Sequence, residues 1–510
     1  MTETPSVRQT VIPRPAAQPR RLRTFMTRIL AGTILPGAGL MLSGRTLAGG
    51  LFLSFFVLGI VASALTAIAI GPTKAAILVA TNPTLLIPLA IAAGIFILLL
   101  IASLIWTADL NWPSPAGRTK KALAGLTAFL LIAALIAPTA RAMQYVFITS
   151  NLVGNVFSAS APKGKEVGIG KDPWAGIPHV NVLLVGSDAQ KDRPGVRTDS
   201  MMMASIDTQT GDTLLVSIPR NLENAPFPSS SPLAKIHPNG FRCKEDCLLN
   251  EVWTEGEEHA HLYPSDPRPG LTALKESISE ITGLTPDYSV VIDMKSFQAL
   301  VNAMGGVDIN VKHRIPIGGE VTNGNIVPGS IKGWIEPGVQ HLDGYHAMWY
   351  ARGRATTDDY NRTARQRCMV NALVKQVDPW TMIDRFPQVA AVINEHIHTD
   401  VPQDHLPAWA DLVEKMQKGK IRSFGLNASN TNVANPDYQH IREMIQASMF
   451  GQPLPTPTYT DGRAVPPAFR SRPTPTPTPE NSISAPSNTT PAPATPTVED
   501  ATDADAAAAC

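Results

Sequence analysis

Apolar residues are distributed unevenly along this 510-residue chain, and the unevenness divides it into three parts. Nearly all long apolar runs lie before residue 145, whereas the last sixty residues are almost entirely Pro, Thr, Ser, Ala and Asp. Runs of about 20 apolar residues are long enough to cross a bilayer as helices. Three such runs occur, at 46–70, 84–106 and 122–140. The pattern therefore predicts a membrane section, a soluble domain and a tail.

Basic residues flank the predicted spans on one side. They precede the first span and separate the second from the third, as Arg20, Arg21, Arg23, Arg28, Arg45, Arg118, Lys120 and Lys121. The loop between the first two spans carries only Lys74. Lys and Arg residues next to a membrane span usually stay on the cytoplasmic side, so the amino terminus is expected in the cytoplasm. Three crossings then place everything after about Tyr145 outside the cell. We therefore expect a multi-pass plasma-membrane protein whose large domain is extracellular and has no access to cytosolic ATP.

The predicted boundaries follow from these composition changes. A basic cytoplasmic tail with a short apolar, interfacial or re-entrant segment covers 1–45, the membrane section 46–145 and a Gly-, Lys- and Pro-rich linker 146–178. The extracellular domain covers 179–450, and a disordered Pro/Thr-rich tail covers 451–510. Such a tail cannot bury enough apolar area to offset the entropy of ordering. A spacer across a cell wall and a tail without function are both open interpretations.

Within the predicted domain, short apolar runs alternate with segments of helical periodicity. The expected strands are 179–185, 200–207, 213–218, 288–293 and 307–311. The expected helices are 271–282, 296–304, 344–350, 361–377, 386–396 and 405–416. This alternation predicts an α/β or α+β domain with a central sheet flanked by helices.

Global charge and cysteine content narrow the function classes. The formal net charge is +1, which gives no reason to expect a nucleic-acid partner. Cys243 and Cys247 lie close together, Cys368 lies in an arginine-rich helix, and Cys510 ends the chain. In an oxidising compartment a Cys243–Cys247 disulfide, or one from Cys368 to either of them, is possible. A zinc site is not expected, because no second Cys or His pair stands at a matching distance.

Basic charge is concentrated in the segment from Tyr350 to Gln366. It contains Arg352, Arg354, Arg362 and Arg365. This exceeds what one salt bridge requires and indicates a polyanion such as pyrophosphate, because the guanidinium group donates two parallel hydrogen bonds to phosphate. An exposed helix with scattered arginines is the alternative.

Charged residues also stand where the predicted strands end. Asp188 follows the first strand and Asp199 precedes the second, so their carboxylates are expected at one edge of the sheet. Two carboxylates suit Mg²⁺ (or Mn²⁺), which completes its shell with water and phosphate oxygens. The alternative is that Asp188 caps a turn and Asp199 pairs with Arg197. Arg220 follows the third strand, where Pro219 restricts the backbone.

Seven separated motifs occur in a characteristic order. They are Gly186-Ser-Asp188, Arg197-Thr-Asp199-Ser-Met-Met, Ser217-Ile-Pro-Arg220, Gly305-Gly-Val-Asp308, His341-Leu-Asp-Gly344, Tyr350-Ala-Arg352-Gly-Arg354 and Asp359-Tyr-Asn-Arg362-Thr-Ala-Arg365-Gln366. This order resembles the LytR-CpsA-Psr family of wall-polymer transferases over about 180–426. The membrane section and Pro-rich tail resemble the actinobacterial members.

The resemblance implies a reaction and a set of roles. A polyprenyl-pyrophosphate-linked glycopolymer gives its phospho-polymer to a peptidoglycan hydroxyl, and polyprenyl phosphate is released. Asp188 and Asp199 would hold the metal, with Arg220 and Arg362 as further catalytic residues. The pyrophosphate would be bound by Arg197, Arg220, Arg352, Arg354, Arg362, Arg365 and Gln366. The base would be Asp199 or, as second candidate, Asp359.

The chain departs from the family pattern at two positions. Gln190 stands where an arginine is frequent, and Asn221 replaces the aspartate usual after Ser-Ile-Pro-Arg. The family also implies an apolar pocket for the lipid between sheet and helices. Its candidates are Phe297, Leu300, Met304, Met348 and Trp349, although apolar residues at helical spacing more often form ordinary core.

Other functions have less support in the sequence or would use the same residues. The sequence has no nucleophile elbow and no Walker loop, and Glu257, Glu258, His259 and His261 lack the helical spacing of a metalloprotease. A non-catalytic membrane receptor for lipid-linked wall precursors stays open, as does a hydrolase that cleaves their pyrophosphate with water.

Overall fold

The structure is a computed structural model that describes most of the chain. The described residues are 22–70, 79, 83–114, 116–156, 167–168, 172–187, 197–242, 247–322, 325–356, 359–376, 385, 387–393, 397–455 and 504–505. The chain divides into two compact units, Met1–Phe147 and Ile148–Cys510.

The amino-terminal unit is helical. Its helices are α1 (Leu22–Ile34), α2 (Ala38–Leu42), α3 (Thr46–Ile70), α4 (Pro83–Asn111) and α5 (Arg118–Val156). Three stretches of them are long and apolar enough to cross a membrane, Thr46–Thr66, Leu85–Asn111 and Arg118–Leu152. This composition fits membrane anchoring.

The short segment before the first span is helical and packed. Phe25 and Ile29 of α1 are buried in one apolar cluster with Leu104 of α4. Arg28 Nη1 donates to Asn111 Oδ1 at 2.5 Å, which ties the same two helices together. A re-entrant placement of this segment in the bilayer stays a prediction.

The predicted linker over 146–178 is wrong at both ends. The third apolar helix does not stop near residue 145 but continues to Val156, because no proline or glycine interrupts the chain between residues 145 and 153. At the other end Trp174 is fully buried, and its Nε1 donates to the carbonyl oxygen of Ala408 at 3.2 Å. The folded domain therefore begins before residue 179.

In its described residues the second unit contains a mixed seven-stranded sheet and three two-stranded sheets. The strands are β1 (His179–Ser187), β2 (Thr198–Asp207), β3 (Thr213–Ile218), β4 (Tyr288–Asp293), β5 (Val307–Val311), β6 (Ile315–Gly318), β7 (Val321–Thr322), β8 (Asn325–Ile326), β9 (Ile331–Ile335), β10 (Gly338–Leu342), β11 (Ile397–Thr399), β12 (Ile421–Gly425) and β13 (Ala504–Asp505). The helices are α6 (Val252–Glu258), α7 (Pro269–Thr282), α8 (Met294–Met304), α9 (Gly344–Arg352), α10 (Asp359–Gln376), α11 (Leu406–Lys418) and α12 (Tyr438–Met449). Residues 387–393 are helical too.

The central sheet has the strand order β11-β4-β1-β2-β3-β12-β13. β1 pairs parallel with β4, and β3 pairs parallel with β12, whereas the other neighbours are antiparallel. The five predicted strands and the α/β or α+β class are confirmed. The segment 252–258, for which no helix was predicted, is the helix α6.

Alternation along the strands gives the sheet two apolar faces. In β2, Met201 and Met203 belong to one cluster, and Met202 belongs to another on the opposite face. α7 and α12 cover the first face, and α11 with Trp174 covers the second. The fold is therefore a sheet between helical layers.

A smaller lobe beside the sheet is formed by β5, β6, β9, β10, α8 and α9, with an apolar core of its own. The Gly-Gly-Val-Asp and His-Leu-Asp-Gly motifs lie in this lobe and brace it. His341 Nδ1 lies 2.7 Å from Asp308 Oδ1, and Nε2 lies 3.0 Å from the Gly305 carbonyl oxygen. Gly306, with φ +96°, has a backbone that favours glycine, and a Cβ there would lie 2.5 Å from His341 Nε2.

The tail predicted as disordered over 451–510 is wrong where it is described. Residues 451–455 continue from the domain, and Ala504–Asp505 form β13 on the edge of the sheet. The prediction for 456–503 and 506–510 lies outside the described residues.

We predict that His341 makes stability depend on pH. The hydrogen bond to Asp308 raises the pKa of His341 above its ordinary value of 6.5, because both ring nitrogens face acceptors. A raised folded-state pKa means that the stabilisation is full below about 6.5 and is lost as pH rises through the folded value. Histidine-selective NMR should show the raised pKa, and Asp308→Asn should lower it. Equal pH dependence of the unfolding temperature in wild type and Asp308→Asn would contradict this role.

Candidate functional site

The candidate site lies at one end of three neighbouring strands, where β1 and β3 end and β2 begins. β1 ends at Ser187, which pairs with Thr198 at the start of β2, and β3 ends at Ile218, two residues before Arg220. Arg220 Nη1 lies 2.6 Å from Asp199 Oδ1. Asp188 and Gln190 lie outside the described residues, so the predicted pairing of Asp188 with Asp199 stays a prediction.

Helix α10 lies over the start of β2. Arg362, whose side chain is buried, donates from Nη2 to the backbone carbonyl of Asp199 at 3.1 Å. One turn later Gln366 Oε1 accepts from Ser200 Oγ at 2.8 Å. Residues four apart share a helix face, so both side chains reach the same strand. The side chain of Asp359, the second candidate base, lies outside the described residues.

These residues line one cavity of about 630 Å³ between the sheet and helices α8, α9 and α10. Five of the predicted arginines and the predicted glutamine line it, namely Arg197, Arg220, Arg352, Arg354, Arg362 and Gln366. Among the described lining residues only Asp199 and Asp293 carry negative charge. The fold therefore brings together arginines that lie up to 165 positions apart in the sequence. Their excess of positive charge over the two carboxylates suits a phosphate or pyrophosphate ligand.

The same cavity continues between apolar walls. Strands β1 and β4 and the three helices contribute Leu184, Val290, Ile292, Phe297, Leu300, Met348, Met369, Val370 and Leu373. Three of the predicted lipid contacts, Phe297, Leu300 and Met348, are among them. Trp349 packs instead against the core of the small lobe, beneath Arg352, whose Cζ lies 5.7 Å from the ring centroid. The cavity is thus cationic at one end and apolar at the other.

Arg365 was also predicted to bind the pyrophosphate, but its side chain is hydrogen-bonded to two backbone carbonyls. Its Nε donates to the carbonyl oxygen of Tyr350 at 2.8 Å, and its Nη2 donates to the carbonyl of Gly353. It is not among the residues that line the cavity in the described part of the chain. The reason is helical geometry, since Arg365 is rotated by about 100° from Gln366. Arg365 holds the end of α9, which carries Arg352, against α10.

Arg197 makes an exposed ion pair. Its Nη2 lies 3.6 Å from Glu251 Oε1, with side chains 58% and 36% exposed. An exposed pair of this kind contributes about 0–1 kcal/mol, so a bound anion can compete with Glu251 for Arg197. The structure pairs Asp199 with Arg220, not with Arg197 as the alternative interpretation proposed.

Two further residues of the site were missed by sequence reasoning. Arg367 is buried and donates from Nη1 to Ser217 Oγ at 3.0 Å, and burial lowers its pKa to about 10. It fixes α10 against the end of β3, which leads to Arg220. Asp293 lines the cavity and caps α8 by accepting from the backbone nitrogen of Ser296 at 2.7 Å. Its position between a predicted strand and a predicted helix is typical of a helix N-cap, and this could have identified Asp293 from the sequence.

A second cavity of similar volume adjoins the first. It is lined by Arg220, Asn221, Gly319, Glu320, Val321 and Arg354. Arg220 and Arg354 line both cavities. These two arginines therefore stand between the cationic end of the first cavity and the second cavity.

A divalent cation such as Mg²⁺ at this site would require oxygen ligands. Asp199 supplies a carboxylate at the cationic end of the cavity, which suits a hard cation that also binds phosphate oxygens. Within the described ranges no group of three or more His, Cys, Asp or Glu residues converges. Cys247 and Cys368 are both disulfide-bonded and are not available as ligands. The pairing of Cys243 with Cys247 involves a residue outside those ranges.

Residues 171–452 match the LytR_cpsA_psr family model. Biofilm regulatory protein A of Streptococcus mutans is 21% identical over 299 residues, which is 56% of this chain and 66% of that protein. The polyisoprenyl-teichoic acid–peptidoglycan teichoic acid transferase TagV of Bacillus subtilis is 20% identical over 275 residues, 52% of this chain and 62% of that protein. The chain thus spans somewhat under two thirds of these curated relatives.

Among solved structures, the crystal structure of B. subtilis TagV is 20% identical to this chain, with a TM-score of 0.38. The matched region is 52% of this chain and 96% of the TagV chain.

We predict that the site binds an amphiphilic diphosphate more tightly than inorganic pyrophosphate. Replacing Arg352 and Arg354 by alanine should lower the affinity for pyrophosphate and for farnesyl pyrophosphate by about tenfold or more, because charge-assisted hydrogen bonds contribute about 1.5–3 kcal/mol each. Leu300→Trp should weaken farnesyl pyrophosphate alone, because it fills the apolar end. Calorimetry on the detergent-solubilised full chain measures both.

Two control variants match these changes outside the cavity. Arg314 is exposed and pairs with Glu336, and Val339 is 81% exposed on β10. Arg314→Ala and Val339→Trp should leave both affinities unchanged. If Leu300→Trp reduced both ligands equally, the apolar end would not hold the prenyl chain.

Proposed function

The chain belongs to the LytR-CpsA-Psr family, and we propose that it transfers a glycopolymer from a polyprenyl-pyrophosphate carrier to a peptidoglycan hydroxyl. The observation that carries the proposal is the first cavity, which has arginines at one end and apolar walls at the other. That shape fits a lipid whose diphosphate lies at the rim of the sheet. The names of the relatives support the same reaction class, since TagV is named as a transferase from polyisoprenyl-linked teichoic acid to peptidoglycan.

The proposed reaction is a phosphoryl transfer. The acceptor hydroxyl oxygen bonds to the phosphorus next to the sugar, the bond from that phosphorus to the bridging oxygen breaks, and polyprenyl phosphate leaves. The hydroxyl proton passes to a base, for which Asp199 is the first candidate and Asp359 the second. Such transfers depend mainly on in-line positioning and on stabilising charge that spreads over the phosphate oxygens. Arg220, Arg352, Arg354 and Arg362, which line the cavity, would take that role.

A divalent cation is part of the proposal. Asp199 and, by its place after β1, Asp188 would hold Mg²⁺ (or Mn²⁺). The ion would neutralise negative charge on the diphosphate and polarise the transferred phosphoryl group. Arg220, already paired with Asp199 at 2.6 Å, orients that carboxylate.

The location outside the membrane is proposed from the charge asymmetry of the segments around α3, α4 and α5. Basic residues precede α3 and lie at the start of α5, which favours a cytoplasmic amino terminus and an extracellular second unit. No ATP is needed there, because the diphosphate bond of the carrier supplies the driving force. The partners are then a lipid-linked glycopolymer, peptidoglycan and membrane lipid.

The second cavity is proposed to hold the sugar joined to the diphosphate. Arg220 and Arg354 separate it from the apolar cavity, as the diphosphate separates sugar from lipid in the carrier. Asn221 and the exposed Glu320 offer the amide and carboxylate oxygens that hydroxyl groups donate to. Asn221 replaces an aspartate usual in the family, which reduces negative charge beside Arg220.

We expect the full chain in detergent to join sugar to glycan through phosphate when given a short-chain polyprenyl-pyrophosphoryl sugar, Mg²⁺ and peptidoglycan fragments. Asp199→Asn and Arg362→Ala should reduce that product by about 100-fold or more, because one supplies the candidate base and the other a cation at the reacting phosphates. Mass spectrometry identifies the products, and a chelator should abolish them.

The products also distinguish the rival functions. Free sugar phosphate in place of the linked product would indicate a hydrolase, and intact bound lipid would indicate a receptor. Arg314→Ala serves as the matched arginine control. Unreduced turnover in folded Arg362→Ala would contradict the assignment of this site.

A separate prediction concerns the second cavity. Glu320→Gln should lower transfer from sugar-bearing donors by about tenfold, because hydrogen bonds to a charged group contribute about 1.5–3 kcal/mol. The affinity for farnesyl pyrophosphate, which has no sugar, should not change. Glu336→Gln, in the turn between β9 and β10, is the matched control. Equal loss with both ligands would show that Glu320 acts on the diphosphate and not on the sugar.

A further inference from the structure

Two successive residues of β2, Asp199 and Ser200, both line the first cavity. In a regular strand neighbouring side chains point to opposite faces, so only one of the two would be expected there. The pairing of β1 with β2 explains the exception, because Ser187 lies opposite Thr198 and Gly186 lies opposite Ser200. Asp199 is thus the extra residue of a β-bulge, which turns a side chain away from its regular direction. The bulge brings the hydroxyl of Ser200 to the same cavity as the carboxylate of Asp199.

The hydroxyl of Ser200 meets the side-chain amide of Gln366. Ser200 Oγ lies 2.8 Å from Gln366 Oε1, and Gln366 Nε2 lies 3.2 Å from the carbonyl oxygen of Ala351. A carbonyl oxygen can only accept, so the amide nitrogen must be the atom that faces Ala351. The amide oxygen then faces Ser200, and the hydroxyl has to donate. A flipped amide would place two acceptors, Gln366 Oε1 and the Ala351 carbonyl oxygen, against each other.

The hydrogen-bond capacity of the two side chains decides which of them can bind a ligand. The Gln366 amide nitrogen carries two N–H groups, and one of them donates to Ala351. The second N–H has no acceptor among the described residues, and Gln366 lines the cavity. Ser200 has a single hydroxyl proton, which it donates to Gln366. While it holds the amide, Ser200 therefore cannot donate to a diphosphate oxygen, whereas Gln366 can.

We propose that Ser200 is a positioning residue, which keeps the amide nitrogen of Gln366, and not its oxygen, toward the diphosphate. This role rests on the function proposed above and on the predicted binding of the diphosphate by Gln366. An amide oxygen turned to the cavity would repel the diphosphate, because both are acceptors with no proton to share. The same contacts tie β2 to α10, and α10 to the end of α9 that carries Arg352. One hydroxyl thus orients a donor of α10 beside a cation of α9.

A double-mutant cycle on diphosphate binding tests this role. The full chain in detergent is titrated calorimetrically with farnesyl pyrophosphate as wild type, Ser200→Ala, Gln366→Ala and the double variant. Ser200→Ala should weaken binding by about fivefold, because a single neutral hydrogen bond that orients the amide is lost. In the Gln366→Ala background the same change should have no further effect, because Ser200 acts through Gln366. Equal losses in the two backgrounds would overturn the proposal.

Two further variants separate positioning from a general effect on β2. Ser200→Thr keeps the hydroxyl and should recover most of the affinity, whereas a loss as large as that of Ser200→Ala would contradict the role of the hydroxyl. Ser205→Ala is the matched control on the same strand, because Ser205 is buried and its Oγ has no hydrogen-bond partner among the described residues. It should bind farnesyl pyrophosphate like the wild type. An equal loss in Ser205→Ala would refute a specific role of Ser200.

The binding measurement also separates this role from the proposed transfer. Calorimetry with farnesyl pyrophosphate needs no turnover, so it reports on the orientation of Gln366 alone. If the wild type formed no linked product while the cycle showed the expected coupling, the transferase function would fail and the positioning role of Ser200 would stand. If transfer occurred and the two substitutions acted independently on binding, the positioning role would fail and the transferase function would stand.

Discussion

The site depends on the contacts that Asp199 makes with two arginines from distant parts of the chain. Its carboxylate pairs with Arg220 at 2.6 Å, and its backbone carbonyl accepts from Arg362 at 3.1 Å. The Asp199 and Arg220 side chains are 34% and 27% exposed. Solvent screens the pair, so its contribution to stability is about 1 kcal/mol. Its importance is geometric, because one residue fixes β2, the end of β3 and helix α10 together.

Bringing five guanidinium groups to one cavity has an electrostatic cost. Two like charges 4 Å apart repel by about 4 kcal/mol at the dielectric typical near a protein surface. Packing offsets part of this, since Arg365 and Arg367 on α10 bind neutral acceptors and hold the helix in place. The cations that line the cavity are thereby kept close before any ligand arrives. A dianionic diphosphate would relieve their repulsion, which is what a preorganised anion site requires.

Sequence reasoning recovered the sheet and the converging cations because both leave local signals. Strand runs such as Thr213–Ile218 are continuous and apolar, and Arg220 follows one directly. The helical period fixes how far Arg362, Arg365 and Arg367 are rotated from one another, but which of them faces the cavity depends on how α10 packs, and no local pattern encodes that packing. The strands β6 to β10 were not predicted, because each is at most five residues long and leaves little local pattern. β12 pairs with β3 across some 200 residues, which no local pattern encodes.

The two ends of the cavity contribute differently to the proposed transfer. Burying a methylene group is worth about 0.8 kcal/mol, so even a partly buried prenyl chain supplies most of the binding energy. That energy is the same before and during reaction, because the chain does not change as the phosphoryl group moves, and it cannot by itself accelerate the chemistry. Only groups that contact the phosphate oxygens as charge redistributes can do so. In the proposed reaction the apolar walls would therefore retain the carrier, whereas Arg220, Arg354 and Arg362 would accelerate the transfer.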